Sequence, residues 1–153
     1  MDSVKIQKRR WNYRKNRNVF CITTGVFILM LQKITVSYRD DQEIITSVIV
    51  GDIIQTKPFG LFIINTVKKT ERFFSNKLWT QVEFGEYKKL NPKYKVIVDL
   101  KEYIVTSVEF DTTGLLTLSI FTETKNNDTL VRDNKWMLVF APGTFDYVQT
   151  SKV

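Results

Sequence analysis

The residues best equipped for chemistry stand at the N-terminus, where KIQKRRWNYRKNRN interleaves cations with Trp11 and Tyr13. Lys5, Lys8, Arg9, Arg10, Arg14, Lys15 and Arg17 oppose Asp2 alone, so residues 1–18 carry a net +6. Lysine and arginine neutralise phosphates and release counterions, while aromatic rings stack on bases or settle at a lipid headgroup layer. The chemistry is attachment to an anionic surface, and the composition suits membrane and nucleic acid equally. A solubilising tail with no dedicated partner is the bland alternative. A second cationic stretch, residues 55–98, holds nine basic residues against three acidic ones, again +6. Within it Lys68, Lys69 and Arg72 are the candidate contacts. Lys57, Lys77, Lys88, Lys89, Lys93 and Lys95 read singly as solvated surface. Residues 19–54 and 99–153 carry −2 and −3, which returns the +7 of the whole chain.

The same composition closes off much of catalysis. There is no histidine, hence no imidazole acid or base, no Ser-His-Asp or Cys-His arrangement and no histidine metal ligand. Cys21 is the only cysteine, which excludes an intrachain disulfide, a zinc knuckle and a CxxC pair. Neither a GxxxxGK[ST] or GxGxxG phosphate loop nor a GxSxG elbow occurs. Asp40/Asp41 and Glu83/Glu86 are neighbouring carboxylates that read as a helix cap and an exposed strand edge. A carboxylate-only Mg²⁺ site is the metal chemistry left open by these counts. The expectation is a non-enzymatic protein with no cofactor and no metal. Cys21 lies in an apolar run and reads as a small hydrophobe. Asn127-Asp-Thr129 is a glycosylation sequon that matters only in a secreted chain.

These residues need elements to hold them. At 153 residues, 43% hydrophobic and 25% charged, the chain has the length and composition of one globular domain. Residues 19–31, VFCITTGVFILML, are too short for a bilayer span of about 20 residues. A basic stretch before an apolar run also describes a signal or signal-anchor segment. Their Val, Ile, Phe and Thr content predicts instead a strand, a Thr-Thr-Gly turn and a longer strand through ITVSY. Residues 40–54 predict a helix, with Asp40 and Glu43 as a capping box and Ile45, Val48, Ile49 and Ile53 as its apolar stripe. A second helix is predicted after Lys57-Pro58, with Phe59, Phe62, Ile63, Val67 and Phe74 inward and Lys68, Lys69 and Arg72 near its C-terminus. From Leu78 the period changes to two, giving strands LWTQVEF, KYKVIV, EYIVTSVEF, LLTLSIFTET and WMLVF. Asp111-Thr-Thr-Gly114 predicts the turn of a hairpin. The fold class expected is α+β: one domain over 19–153, mostly antiparallel sheet with two short helices, behind a flexible basic arm over 1–18.

Arg17-Asn18-Val19-Phe20-Cys21-Ile22-Thr-Thr-Gly25-Val26 resembles the stretch that opens the folded core of matrix proteins from lyssavirus-type rhabdoviruses. The order that follows is similar: helical segments, a basic loop-rich stretch, the hairpin with Gly114-Leu-Leu-Thr-Leu-Ser-Ile120 and a last strand containing Trp136. The likeness spans roughly residues 17–140. It implies a structural protein that binds the inner face of a virus membrane, condenses the nucleocapsid and its RNA, and self-associates. The implied location is the virion and the cytoplasmic or inner membrane face of the host cell. Pro58, Pro92 and Pro142 are isolated, so the family's proline-rich budding motif is missing from this chain. EYIVTSVEF with DTTGLLTLSIF is also similar to a strand pair of small-virus jelly-roll capsid proteins, whose basic arm binds genome. Too few residues follow it for an eight-stranded roll. A third alternative is a small secreted or membrane-anchored accessory protein with residues 19–31 inserted.

Overall fold

The computed structural model describes residues 25–153, and every regular element in them is a strand. In chain order these are β1 (Val26–Asp40), β2 (Glu43–Lys57), β3 (Gly60–Asn65), β4 (Thr70–Ser75), β5 (Trp79–Gly85) and β6 (Tyr94–Val98). Then follow β7 (Lys101–Val105), β8 (Ser107–Phe110), β9 (Leu116–Asn126), β10 (Thr129–Phe140) and β11 (Val148–Lys152). Eight strands form one antiparallel sheet in the order β4-β3-β2-β1-β5-β10-β9-β8, and three form a second, β11-β6-β7. The result is a β-sandwich-like fold, so the α+β expectation with two helices is overturned.

Both predicted helices are hairpins. Ile45, Ile49 and Ile53 recur every four residues, a spacing that fits a strand's period of two as well as a helix. Val48 separates the readings: a helix would turn it inward with Ile45 and Ile49, whereas it stands 60% exposed, and farther along β2 the core position is taken by Ile54 and not by Ile53. Eight β-branched aliphatic and threonine side chains between Ile44 and Ile54 favour the pleated backbone. The apparent capping box is a two-residue turn, with Asp40 opposite Glu43 and Asp41 at φ 58°. Pro58 likewise sits in the turn joining Lys57 to Gly60, and the supposed stripe after it becomes β3 and β4.

The large sheet is coiled. Strands β4 and β5 are joined by residues 76–78 alone, yet β3, β2 and β1 lie between them in the sheet. Four strand spacings would separate them by roughly 19 Å in a flat sheet. The connection reaches about 14 Å, so the sheet must roll. Phe74 of β4 accordingly meets Tyr38 of β1, ring centroids 5.2 Å apart. Inside the roll are Phe27, Ile34, Val36, Ile54, Leu61, Ile63, Trp79 and Phe84, closed by Met137 and Val139 of β10. The alternate residues of β10, Trp136, Leu138 and Phe140, face the other way with Leu116, Leu118 and Ile120 of β9. Val96, Val98, Tyr103 and Val105 of the small sheet cover them. Residues 116–121 of β9 and 136–140 of β10 are therefore buried on both faces and tie the two cores together.

The chain passes between sheets at Thr106, the residue that separates β7 from β8. It is buried, its amide donates to Ser119 O at 2.9 Å, and its hydroxyl accepts from Phe121 N at 3.3 Å. The predicted single strand EYIVTSVEF is thus split. Only residues 107–110 pair with β9 around the Asp111–Gly114 turn. Of the run 19–31, residues 26–31 belong to β1, as the strand reading predicts, and 19–24 lie outside the described residues. No helix among the described residues is long and apolar enough to cross a membrane.

Candidate interaction surface

Of the predicted contact residues, Lys5, Lys8, Arg9, Arg10, Trp11, Tyr13, Arg14, Lys15 and Arg17 lie outside the described residues. The three on the body are described and stand on a hairpin, not at a helix end. Lys68 and Lys69 are exposed in the turn between β3 and β4, Lys69 at φ 59°. Asn65 Oδ1 accepts from the Lys68 amide at 2.9 Å and fixes that turn. Arg72 lies on β4 with its guanidinium 5.4 Å from the Phe74 ring centre.

The middle cations do not form one face. Lys57 and Lys77 stand at the end of the β3–β4 hairpin opposite to Lys68 and Lys69. Lys88, Lys89 and Lys93 follow β5 on a separate connection, where Lys88 pairs with Glu86 at 3.4 Å. Lys95 pairs with Glu102 across the small sheet at 3.8 Å. Residues 25–153 hold sixteen basic against fifteen acidic residues, so the body is close to neutral and the net charge sits in the arm.

What the sequence reading missed is an aromatic patch on the outer face of β2, β3 and β4. Phe62 lies opposite Phe73 across β3 and β4, rings 4.9 Å apart, and Phe59 closes on both at 6.0 and 6.1 Å. Phe59 and Phe73 are 57% and 48% exposed. Lys57 Nζ stands over the rings of Phe62 and Phe59 at 5.4 and 5.9 Å. Two strands away from β3, β1 carries a bulge between Ile28 and Gln32, where Met30 is 82% exposed and Leu31 is exposed too. Val26, the first residue of β1, is on the same row of the sheet as two of these rings. Val26 pairs with Gln55, Gln55 with Phe62 and Phe62 with Phe73. Large apolar side chains left in water in this number mark a contact surface. The sequence held no separate signal for it, because Phe59, Phe62, Phe73 and Phe74 also fall on one helical face.

Two places on the body bring polar groups and aromatic rings together. A cavity of about 210 Å³ lies between Lys57, Trp79 and Asp111. Its carboxylate is committed to the Asp111–Leu115 turn, accepting from Thr113 N, Thr113 Oγ1 and Leu115 N. The Trp79 indole donates to Asn76 at 2.8 Å. Elsewhere Glu83 accepts the Trp136 indole at 2.6 Å, and Tyr87 and Tyr103 pack on Trp136 at 4.9 and 6.0 Å. These rings pack on one another. Burial first, then the charge of Glu83 and the neighbouring Tyr87, push the Tyr103 phenol up to about 12. An unfolded tyrosine ionises near 10, so the folded form is penalised as pH rises from there. Stability should fall by on the order of 2 kcal/mol between about pH 10 and 12, and Tyr103→Phe should flatten that decline in urea titrations. An unchanged slope would remove Tyr103 as its source.

Among the described residues no three His, Cys, Asp or Glu side chains gather as a metal group would require. Comparison of the chain with protein-family models, curated proteins and solved structures gives no match.

Proposed function

We propose that this is a non-catalytic, matrix-like structural protein that attaches to an anionic membrane surface. The observation that carries the reading is the division of labour between arm and body. The arm holds +6 of the +7, while the near-neutral body presents Phe59, Phe62 and Phe73 at the β3–β4 hairpin and Met30 and Leu31 on the bulge of β1. Cations draw a chain to phosphate headgroups, and exposed aromatic and aliphatic side chains hold it at the interface once there. Lysine over phenylalanine, as Lys57 stands here, suits a layer where headgroup and acyl chain meet. The resemblance of residues 17–26 to rhabdovirus matrix proteins points the same way. The helical segments in that likeness are strands in this fold, so the proposal leans on charge and surface, and not on the order of elements.

The test is vesicle flotation. The chain should float with vesicles containing phosphatidylserine, remain behind with neutral phosphatidylcholine, and lose the association when residues 1–18 are removed. Unchanged flotation of the truncated chain would sink the arm's role. Retention on RNA together with indifference to vesicle charge would replace the membrane by nucleic acid.

A further inference from the structure

We infer that two copies of this chain pair through the upper half of β2, strand against strand across a twofold axis at Thr46. Strand β2 runs fifteen residues, but β3 covers only Ile53–Lys57 of it. Residues 43–49 therefore have β1 on one side and nothing on the other among the described residues.

Which backbone groups are free follows from the register. The two-residue turn makes Asp40 and Glu43 a hydrogen-bonded pair, and every second pair after it is another. Glu43, Ile45, Ser47 and Ile49 thus bond to β1, and Ile44, Thr46, Val48 and Val50 aim their N–H and C=O groups outward. Two contacts agree with that phase. Val50 O, on the open side, accepts Asn65 Nδ2 at 3.2 Å, and Arg39 N, opposite Ile44, donates away from β2 to Leu78 O. The turn after β3 closes the edge at Val50, so the open window is centred on Thr46.

A window of that shape is complementary to itself. An antiparallel copy with Thr46 opposite Thr46 puts Ile44 against Val48 on each side, with all three residues in hydrogen-bonded pairs. Ile44 and Val48 are 58% and 60% exposed, and cross-strand aliphatic pairing covers both. The ends match by charge. The partner's hairpin tip, carrying Asp40, Asp41 and Glu43, would arrive at Val50, where the β3–β4 turn presents Lys68 and Lys69. Natural sheets protect such edges with lysine, proline or short length. Edge strand β4 carries Glu71 and Arg72, and β8 is four residues long, whereas Ile44–Ile49 has no such device. The inference stands on the edge alone and goes beyond attachment to a membrane.

Sedimentation of the full chain should show a concentration-dependent dimer. Thr46→Pro removes the central donor without touching the β1 ladder, and should raise the dissociation constant at least about tenfold while circular dichroism stays unchanged. In a Cys21→Ser background, Thr46→Cys should form a disulfide dimer with oxidised glutathione. A hydrogen-bonded pair sets its Cα atoms about 5.5 Å apart, within disulfide reach. Ile44→Cys should not, since the two copies of that residue lie about 14 Å apart along the strands. Lys68→Glu with Lys69→Glu should weaken the dimer, and Asp40→Lys with Asp41→Lys should restore it. A chain that stays monomeric at all concentrations, or cross-links as well at Ile44→Cys as at Thr46→Cys, overturns the inference. Such a monomer would still float with anionic vesicles, so the attachment reading fails or survives separately.

Discussion

Gly85→Ala should destabilise the fold by about 4 kcal/mol or more, a large part of the stability of a domain this size. Gly85 ends β5 at φ +83°, where an alanine already costs roughly 1–2 kcal/mol. The larger part comes from space. A Cβ there would sit 2.1 Å from Lys135 O and 2.9 Å from Trp136 Cα, both backbone atoms that no rotamer change can move. Lys135 is the extra residue of a bulge in β10, between Asn134 and Trp136 as they pair with β9. Its carbonyl also receives Glu86 N at 3.1 Å, so backing away breaks that bond. The bulge turns Trp136 into the second core, so shifting it loosens the joint between the two cores. Gly143 is the internal control: its φ is +77°, but nothing lies within 4 Å of its missing Cβ. Gly143→Ala should cost only about 1 kcal/mol, the conformational part alone. Urea unfolding of the two variants reads the difference directly. Equal midpoints would mean that β10 can yield, and that the bulge is not the rigid joint described.

The same local geometry marks where a sequence reading stops. Strands such as β5 and β6 were legible because each alternates toward a single core, Val82 and Phe84 toward the first and Val96 and Val98 toward the second. The Asp111–Gly114 turn was legible too, since aspartate opens it and Gly114 takes the positive φ that closes it. The helices were misread because Ile45, Ile49 and Ile53 satisfy both periods. The strand continuing through Thr106 was misread because a change of partner sheet leaves no mark on alternation. Charge was legible in full as amount and not as arrangement. Lys57 and Lys69 are twelve residues apart, yet the β3–β4 hairpin sends them to opposite ends. The aromatic patch and the open edge of β2 depend on strand pairing. The patch arises because Phe62 of β3 comes opposite Phe73 of β4, and the edge because β3 has six residues against the fifteen of β2.

Removing residues 1–18 should lower the affinity for anionic vesicles by about a thousandfold near 0.05 M salt, the largest binding effect expected in this molecule. Seven cations stand against Asp2 in that stretch. Each lysine or arginine near an anionic leaflet contributes on the order of 1 kcal/mol, which would give roughly 6 kcal/mol if every one engaged. Screening and imperfect approach reduce this to about 4 kcal/mol, and 1.4 kcal/mol is a factor of ten. Such a term must fade with salt, because the Debye length falls from about 14 Å to about 8 Å on going from 0.05 to 0.15 M. The aromatic patch predicts the remainder. Burying Phe59 and Phe73 at an interface is insensitive to salt, so binding by the full chain should level off and not vanish. The truncated chain should show that weak, salt-independent level from the start. Phe59→Ser with Phe73→Ser in the full chain should remove the plateau and leave the steep part. Vesicle titrations over a range of salt separate the two contributions. A truncated chain with the full salt slope would move the electrostatic contact onto the body, to Lys57, Lys68 and Lys69.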